Sequence, residues 1–385
     1  MVFCHELRSD AGSMRILLIV EAFRCIGGIE EVVDHLAFEF SRHGHHVAVL
    51  STPYVPAGCE RIPLAQVECL YSEIPGRKIS SLRHPERLFR RPRGVAELSR
   101  MIGGWRPDVV SSHEWQWDKF PTIGDACRNA NAPFVQSLYD WRGRGKLGDS
   151  PLRALNRAAA LTALSHATRR YFEPLVPGAG TARVITGGVD WQAIQEAPAK
   201  VRDRPYILSA ARLDVRSKAL DVLIGAFAVI AASFPRVDLV IAGDGPDRHK
   251  LQEIAASSGI ADRVEFVGVS SKQTLWSCYK GATAFVMPSR EPEGLGLVFL
   301  EAMASGIPVI GSNSGGTPEV IVRDKSGFLL ERNDPAEIAE ALAKLLNDPE
   351  LSARMGMCGR ELTRTNYGWE QMASSYLDVL TACAA

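Results

Sequence analysis

Two apolar runs, one near the start of the chain and one just past its middle, each open a strand, loop and helix. This repetition limits the fold more than any other feature. Residues 14–20, MRILLIV, lack any polar alternation from Ile16 onward, the pattern of a strand buried on both faces of a parallel sheet. The run passes through residues 21–26 to Gly27 and Gly28, then to a helix whose Val32, Val33, Leu36, Ala37 and Phe40 share one face. Residues 205–210, PYILSA, begin again in the same way, and Leu220, Leu223, Ile224, Phe227 and Ile230 give the next helix its apolar face. One hydrophobic core rarely serves 385 residues, so two α/β domains are expected. Residues 14–197 form the first and 198–365 the second, with the polar stretch 196–204, EAPAKVRDR, as the linker. Residues 1–13 are an unpatterned leader, with Met14 as an alternative start, and residues 366–385 form a C-terminal helix.

The remaining strands are read at residues 47–51, 107–114, 134–138, 161–165, 184–190, 237–242, 263–268 and 284–288. In open α/β sheets ligands bind beyond the C-terminal ends of the strands, which draws attention to what stands there. His113 closes one strand, where the alternative to a ligand contact is a bond to a loop carbonyl. Trp115, Trp117, Trp141, Arg142, Arg144 and Lys146 follow the same strand and the next; aromatic faces with cations suit a sugar-containing acceptor, and tryptophan is equally at home in a core. Gly243 and Gly245 form a glycine turn after residues 237–242. Arg212 and Lys218 lie between the strand and helix that open the second half, two cations at a helix N-terminus that suit a diphosphate. Gly27 and Gly28 have the outline of a phosphate loop, without the dinucleotide fingerprint of three spaced glycines.

Residues 289–320, SREPEGLGLVFLEAMASGIPVIGSNSGGTPEV, carry the sharpest chemistry. Leu297 to Ala304 reads as a buried helix, yet Glu301 sits in its middle. An ionised carboxylate there is costly unless paired with a Lys or Arg or bonded to a ligand with two neighbouring hydroxyls; the spacing leaves both open. Before the helix, Gly294, Leu295 and Gly296 leave backbone amides open to close approach, and Glu293 precedes Glu301 by eight positions. Further on, Thr317 is expected to cap a helix with Pro318 at its first position.

Composition removes several classes. Net charge is zero, 46% of residues are hydrophobic and 23% charged, so nothing demands a nucleic-acid partner. The eight cysteines show no paired spacing and no zinc pattern with histidine, which fits reduced thiols in the cytoplasm. No run approaches the ~18 apolar residues of a membrane span, and no signal-peptide core is present. Residues 77–93 concentrate Arg77, Lys78, Arg83, Arg87, Arg90, Arg91 and Arg93 against Glu86. Such a run is either solvated surface or a peripheral contact with an anionic membrane or a diphosphate-bearing acceptor. No Asp-x-Asp sequence, two carboxylates spaced to share a metal ion, occurs.

Glu293, seven residues and Glu301, with GLGL between them and EAMASGIPV after, resemble the signature of retaining glycosyltransferases of the family 4 type. The resemblance extends over nearly the whole chain: Arg212, a short insert, Lys218 and Leu-Asp match the family pattern, with Ala219 where glycine is usual. Residues 186–190, TGGVD, resemble its Asn-Gly-Val-Asp turn, with Gly187 in the Asn place. The resemblance implies the GT-B architecture, two Rossmann-like domains facing across a cleft, and a C-terminal helix that crosses back to the first domain. It implies transfer of a sugar from a nucleoside-diphosphate sugar to an acceptor hydroxyl, without a metal or other cofactor and with retained configuration. Glu293 would then hold the transferred sugar, Glu301 the ribose, and Arg212 and Lys218 the leaving diphosphate, with His113 touching the donor sugar. Gly27, Gly28, Gly243, Gly245, Val267 and residues 294–297, ending at Leu297, would line the donor, and Trp115, Trp141 and Arg142 the acceptor. Tyr139-Asp140 stands where many relatives carry His-Asp. A nucleotide-sugar 2-epimerase, a phosphorylase or a non-catalytic sugar-nucleotide-binding protein is the alternative.

Overall fold

A computed structural model of the chain describes residues 12–21, 27–51, 67–71, 93–114, 116, 119–139 and 149–385. The chain divides into two compact units. The first comprises Met1–Ile185 with Trp369–Ala385 and the second Thr186–Gly368.

Among the described residues seven strands build the sheet of the first unit: Arg15–Ile19 (β1), His46–Ser51 (β2), Val67–Tyr71 (β3), Val109–Ser112 (β4), Phe134–Leu138 (β5), Ala160–Ala163 (β6) and Arg183–Val184 (β7). They pair in the order β3-β2-β1-β4-β5-β6-β7, every pair parallel. Each parallel neighbour needs a crossover, and the helices at Gly28–Arg42, Arg93–Trp105 and Phe120–Asn129 belong to these connections. Ile16 to Ile19 are wholly buried, as the unbroken apolar run requires. The C-terminal helix Trp369–Ala384 belongs to this unit: Trp369 stacks on His35 with ring centroids 4.0 Å apart, and Tyr376 OH lies 3.2 Å from Ser137 Oγ.

The second unit repeats the plan with Tyr206–Ala210 (β8), Asp238–Ala242 (β9), Val264–Gly268 (β10), Ala284–Met287 (β11), Val309–Ser312 (β12) and Gly327–Leu330 (β13). Their order is β10-β9-β8-β11-β12-β13, again all parallel. In both sheets the order reverses beside the opening strand, at β1/β4 and at β8/β11, the switch points where ligands of doubly wound sheets sit.

Two expectations need correction. Residues 184–190 do not continue as a strand: β7 ends at Val184, and only Val189 makes an isolated bridge, to Gly368. Gly187 and Gly188 offer no side chains to a sheet edge, and a Cβ at Gly187 would fall 2.5 Å from Leu297 Cδ2, so this stretch turns instead of pairing. The cap of the short helix Thr317–Val320 is Gly316, not Thr317, because the chain already turns at Gly315 (φ 61°) and the Glu319 amide bonds to the Gly316 carbonyl. The division into units falls between Ile185 and Thr186, ahead of the polar stretch 196–204. Helix Trp191–Glu196 is tied to the second unit, where Gln195 Nε2 donates to the Ala304 carbonyl at 2.9 Å and Lys280 Nζ to the Gln195 carbonyl at 2.7 Å.

Candidate active site

The loops after β8 and β11 are bolted together at the switch point of the second unit. The amide of Arg290 donates to the Ser217 carbonyl at 2.9 Å, and its guanidinium makes a two-pronged pair with Asp221 at 2.7 Å on each arm. This fork fixes both planes, which a lysine would not do. Between the bolts, Lys218 Nζ meets Glu293 Oε1 at 2.5 Å, and Ser289 Oγ donates to the same oxygen at 2.7 Å. Both charged side chains are about 15% exposed, at 14% and 15%, so the pair stands at the edge of solvent where a ligand can reach it. The structure thus brings these two sequence-expected residues into direct contact.

Lys218 ends the helix Val215–Lys218, and Ala219 follows in the left-handed region at φ 47°. An L side chain is strained there, which accounts for the glycine usual at this position. Arg212, on the same loop, is exposed and has no ion pair among the described residues. Gly243 and Gly245 act through that loop: a Cβ on either would run into the backbone of Ala211 or Leu213, so the two turns pack main chain on main chain. Val267 sits at an irregularity of β10, where the ladder passes from Phe266–Ile241 to Gly268–Ala242 and leaves Val267 unpaired. Gly296, left-handed at φ 88°, caps the helix Leu297–Ala304 without a side-chain bond, and its carbonyl accepts from the Phe299 amide at 2.9 Å.

Glu301 is 4% exposed and served from a different element. Lys272 Nζ donates to its Oε1 at 2.7 Å and Trp276 Nε1 at 3.1 Å, while Tyr279 OH reaches Oε2 at 3.4 Å. The three donors lie on one face of the helix Lys272–Gly281, and the sequence reading missed all of them. Their signal was the spacing of one cation and two polar aromatics at four and three residues, legible only once a buried acid needed partners.

In the first unit His113 is completely buried. Its Nε2 lies 2.9 Å from Ser111 Oγ and its Nδ1 2.5 Å from Tyr139 OH, so both ring nitrogens are taken, by side chains and not by a loop carbonyl. Burial lowers its pKa to about 3, so the ring is neutral at ordinary pH. Because the unfolded chain binds a proton below about pH 6.5 and the folded one does not, stability falls as pH drops from 6.5 toward 3. Urea midpoints at pH 7 and pH 5 should therefore diverge more for the native protein than for His113→Gln.

Behind His113 the sequence reading missed a second network. Lys119 Nζ bridges Glu21 Oε1 at 3.0 Å and Glu114 Oε2 at 3.3 Å, beyond β1 and β4. Burial pushes the Glu114 carboxyl up, and Lys119 works against that. At Gly27 and Gly28 the helix N-terminus is already met by an acid, since a Cβ on Gly27 would clash with the Glu30 carboxylate. Trp115, Trp117, Trp141, Arg142, Arg144, Lys146 and residues 77–92 of the basic stretch 77–93 lie outside the described residues.

The model of a family described as "Glycosyl transferases group 1" matches residues 190–362, and that of a "Glycosyl transferase 4-like domain" matches residues 27–188. A GDP-mannose-dependent alpha-(1-6)-phosphatidylinositol monomannoside mannosyltransferase of Mycolicibacterium smegmatis is 32% identical over 323 residues, 78% of this chain and 83% of that protein. The chain belongs to the group 1 glycosyltransferases. The protein of the same description from Mycobacterium tuberculosis is 33% identical over 235 residues, and that match spans 57% of this glycosyltransferase-family chain and 61% of the relative's length. Among solved structures, sucrose-phosphate synthase from Thermosynechococcus elongatus superposes with a TM-score of 0.81 at 22% identity over 96% of this chain and 98% of that one. Anabaena HepE in complex with UDP and glucose gives 0.78 at 19%, over 96% and 100%. These likenesses establish that the group 1 chain has the fold of those two proteins.

Proposed function

We propose that the protein moves a hexose, with retention of configuration, from a nucleoside-diphosphate sugar to an acceptor hydroxyl, and that the donor is GDP-mannose. The contact of Lys218 with Glu293 beside the unpaired Arg212 carries this reading. In the reaction the bond from the sugar C1 to the β-phosphate oxygen breaks and its electron pair stays on the diphosphate. Lys218, Arg212 and the amides at Gly294 to Leu297 neutralise that charge as it develops. Drawing Lys218 toward phosphate releases Glu293 to the sugar hydroxyls, and Glu301 takes the ribose. The acceptor oxygen bonds to C1 and gives its proton to a phosphate oxygen, so no protein nucleophile is assigned. No resident metal is needed where two side-chain cations already face the leaving group. His113 enters as a positioning group behind Ser111 and Tyr139.

The guanosine donor and the hexose are carried over from the mannosyltransferases that the chain resembles; the acceptor class proposed is a sugar- or inositol-containing molecule, lipid-linked or free. Among the described residues no helix is long and apolar enough to cross a membrane. The cations of residues 77–93 support peripheral contact with anionic lipid. GDP at ~100 times its Kd should stabilise the protein by about 2.7 kcal/mol. In a thermal shift series GDP should exceed UDP and ADP, and transfer from GDP-mannose should persist in EDTA. Altered sugar in the absence of acceptor would replace transfer by epimerisation, and a shift only with UDP or ADP would overturn the donor.

A further inference from the structure

Glu301 is an acid inside an otherwise apolar helix, and its partners are distributed unevenly over its two oxygens. Oε1 accepts from Lys272 at 2.7 Å and from Trp276 at 3.1 Å, which fills both of its lone-pair directions. Among the described residues Oε2 accepts from Tyr279 alone, at 3.4 Å, a bond near the geometric limit. One oxygen is thus held and the other is left with capacity. The donors differ in character as well: Trp276 and Tyr279 are only 7% and 0% exposed, whereas the Lys272 side chain is 44% exposed and reaches in from solvent. They stand on one face of the helix Lys272–Gly281, whose N-terminus is set by Ser271 accepting from the Thr274 amide.

We propose that Lys272, Trp276 and Tyr279 are positioning residues that orient Glu301 for a vicinal diol, and so make the protein discriminate ribose from a sugar without 2′ and 3′ hydroxyls. The inference rests on the assignment of Glu301 to the nucleotide ribose. A carboxylate able to rotate would meet a diol with one oxygen at a time; locked through Oε1, it presents Oε2 in one direction. Lys272 and Trp276 stay on Oε1 when the diol arrives, and the hydroxyls meet Oε2, where the long bond from Tyr279 gives way.

The test is calorimetric titration of the full chain with GDP and with 2′,3′-dideoxy-GDP. A bond from a neutral donor to a charged group contributes enough that Trp276→Phe should weaken GDP about tenfold. It should leave the dideoxy compound within about twofold, so that the ratio of the two affinities collapses. Trp276→Phe opens space in a buried site, so Lys272→Met, an exposed change, provides a second reading. It should lower the same ratio about threefold, with Lys272→Arg restoring it. An unchanged ratio in both variants overturns the positioning set while leaving Glu301 on the ribose. A native protein that binds the two nucleotides equally overturns the ribose assignment, and the proposal with it.

Discussion

Replacing Lys218 with methionine should lower kcat with GDP-mannose by about 10²- to 10³-fold, the usual loss when one donor to a developing negative charge is removed. Two effects act together. The leaving diphosphate loses a cation, and Glu293, which Lys218 meets at 2.5 Å, is left facing that diphosphate uncompensated. The counterpart, Glu293→Gln, keeps the shape and the bond from Ser289 but frees Lys218 for phosphate. It should cut transfer as steeply while GDP binds no weaker than to the native protein, because the competing carboxylate is gone. Titration with GDP beside steady-state turnover reads both. If the two variants weakened GDP alike, Lys218 and Glu293 would act as one structural pair and the division of labour between phosphate and sugar would fall.

The sequence showed the parts of this site that depend on local order. The runs at residues 14–20 and 205–210 became the first strand of each sheet, and the buried helix at Leu297–Ala304 stands where its apolar residues placed it. Arg212, Lys218 and Glu293 drew attention because they stand at strand ends and glycine loops, and their resemblance to the family 4 pattern, more than their spacing, singled them out. The rest depended on contacts far along the chain. His113 ends a strand, where exposure is the rule, but Tyr139 beyond the next strand and Tyr376 in the C-terminal helix close over it, with ring centroids 5.8 and 5.5 Å away. No spacing near His113 announces a tyrosine from the other end of the sequence. Glu301 is the opposite case: its burial was evident and its partners were not, because helix Lys272–Gly281 becomes its neighbour only through packing. Residues 184–190 were read too long because β-branched residues around two glycines look like a strand until the edge of the sheet is known.

Gly315→Ala should destabilise the second unit by about 3–5 kcal/mol and lower its unfolding temperature by roughly 10 °C. Gly315 adopts φ 61°, a region that costs an L residue ~1–2 kcal/mol. The larger part is steric: a Cβ there would run into the carbonyl of Glu293, and its contacts include Glu293 N at 2.8 Å and Pro292 Cβ at 3.0 Å. Backbone, unlike a flexible side chain, cannot swing aside. The Glu293 carbonyl also accepts from the Gly316 amide at 2.8 Å, and residues 293 and 315 form an isolated parallel bridge, so the glycine pair clamps the loop that carries the acid. Moving that loop by a few tenths of an ångström displaces Glu293 from Lys218, and turnover should fall further than the lost folded fraction explains. Calorimetry with and without GDP, at a temperature where the variant remains folded, separates the two effects. A variant with native stability would show that the loop yields freely, and a yielding loop could not hold an acid in register with a cation from the neighbouring loop.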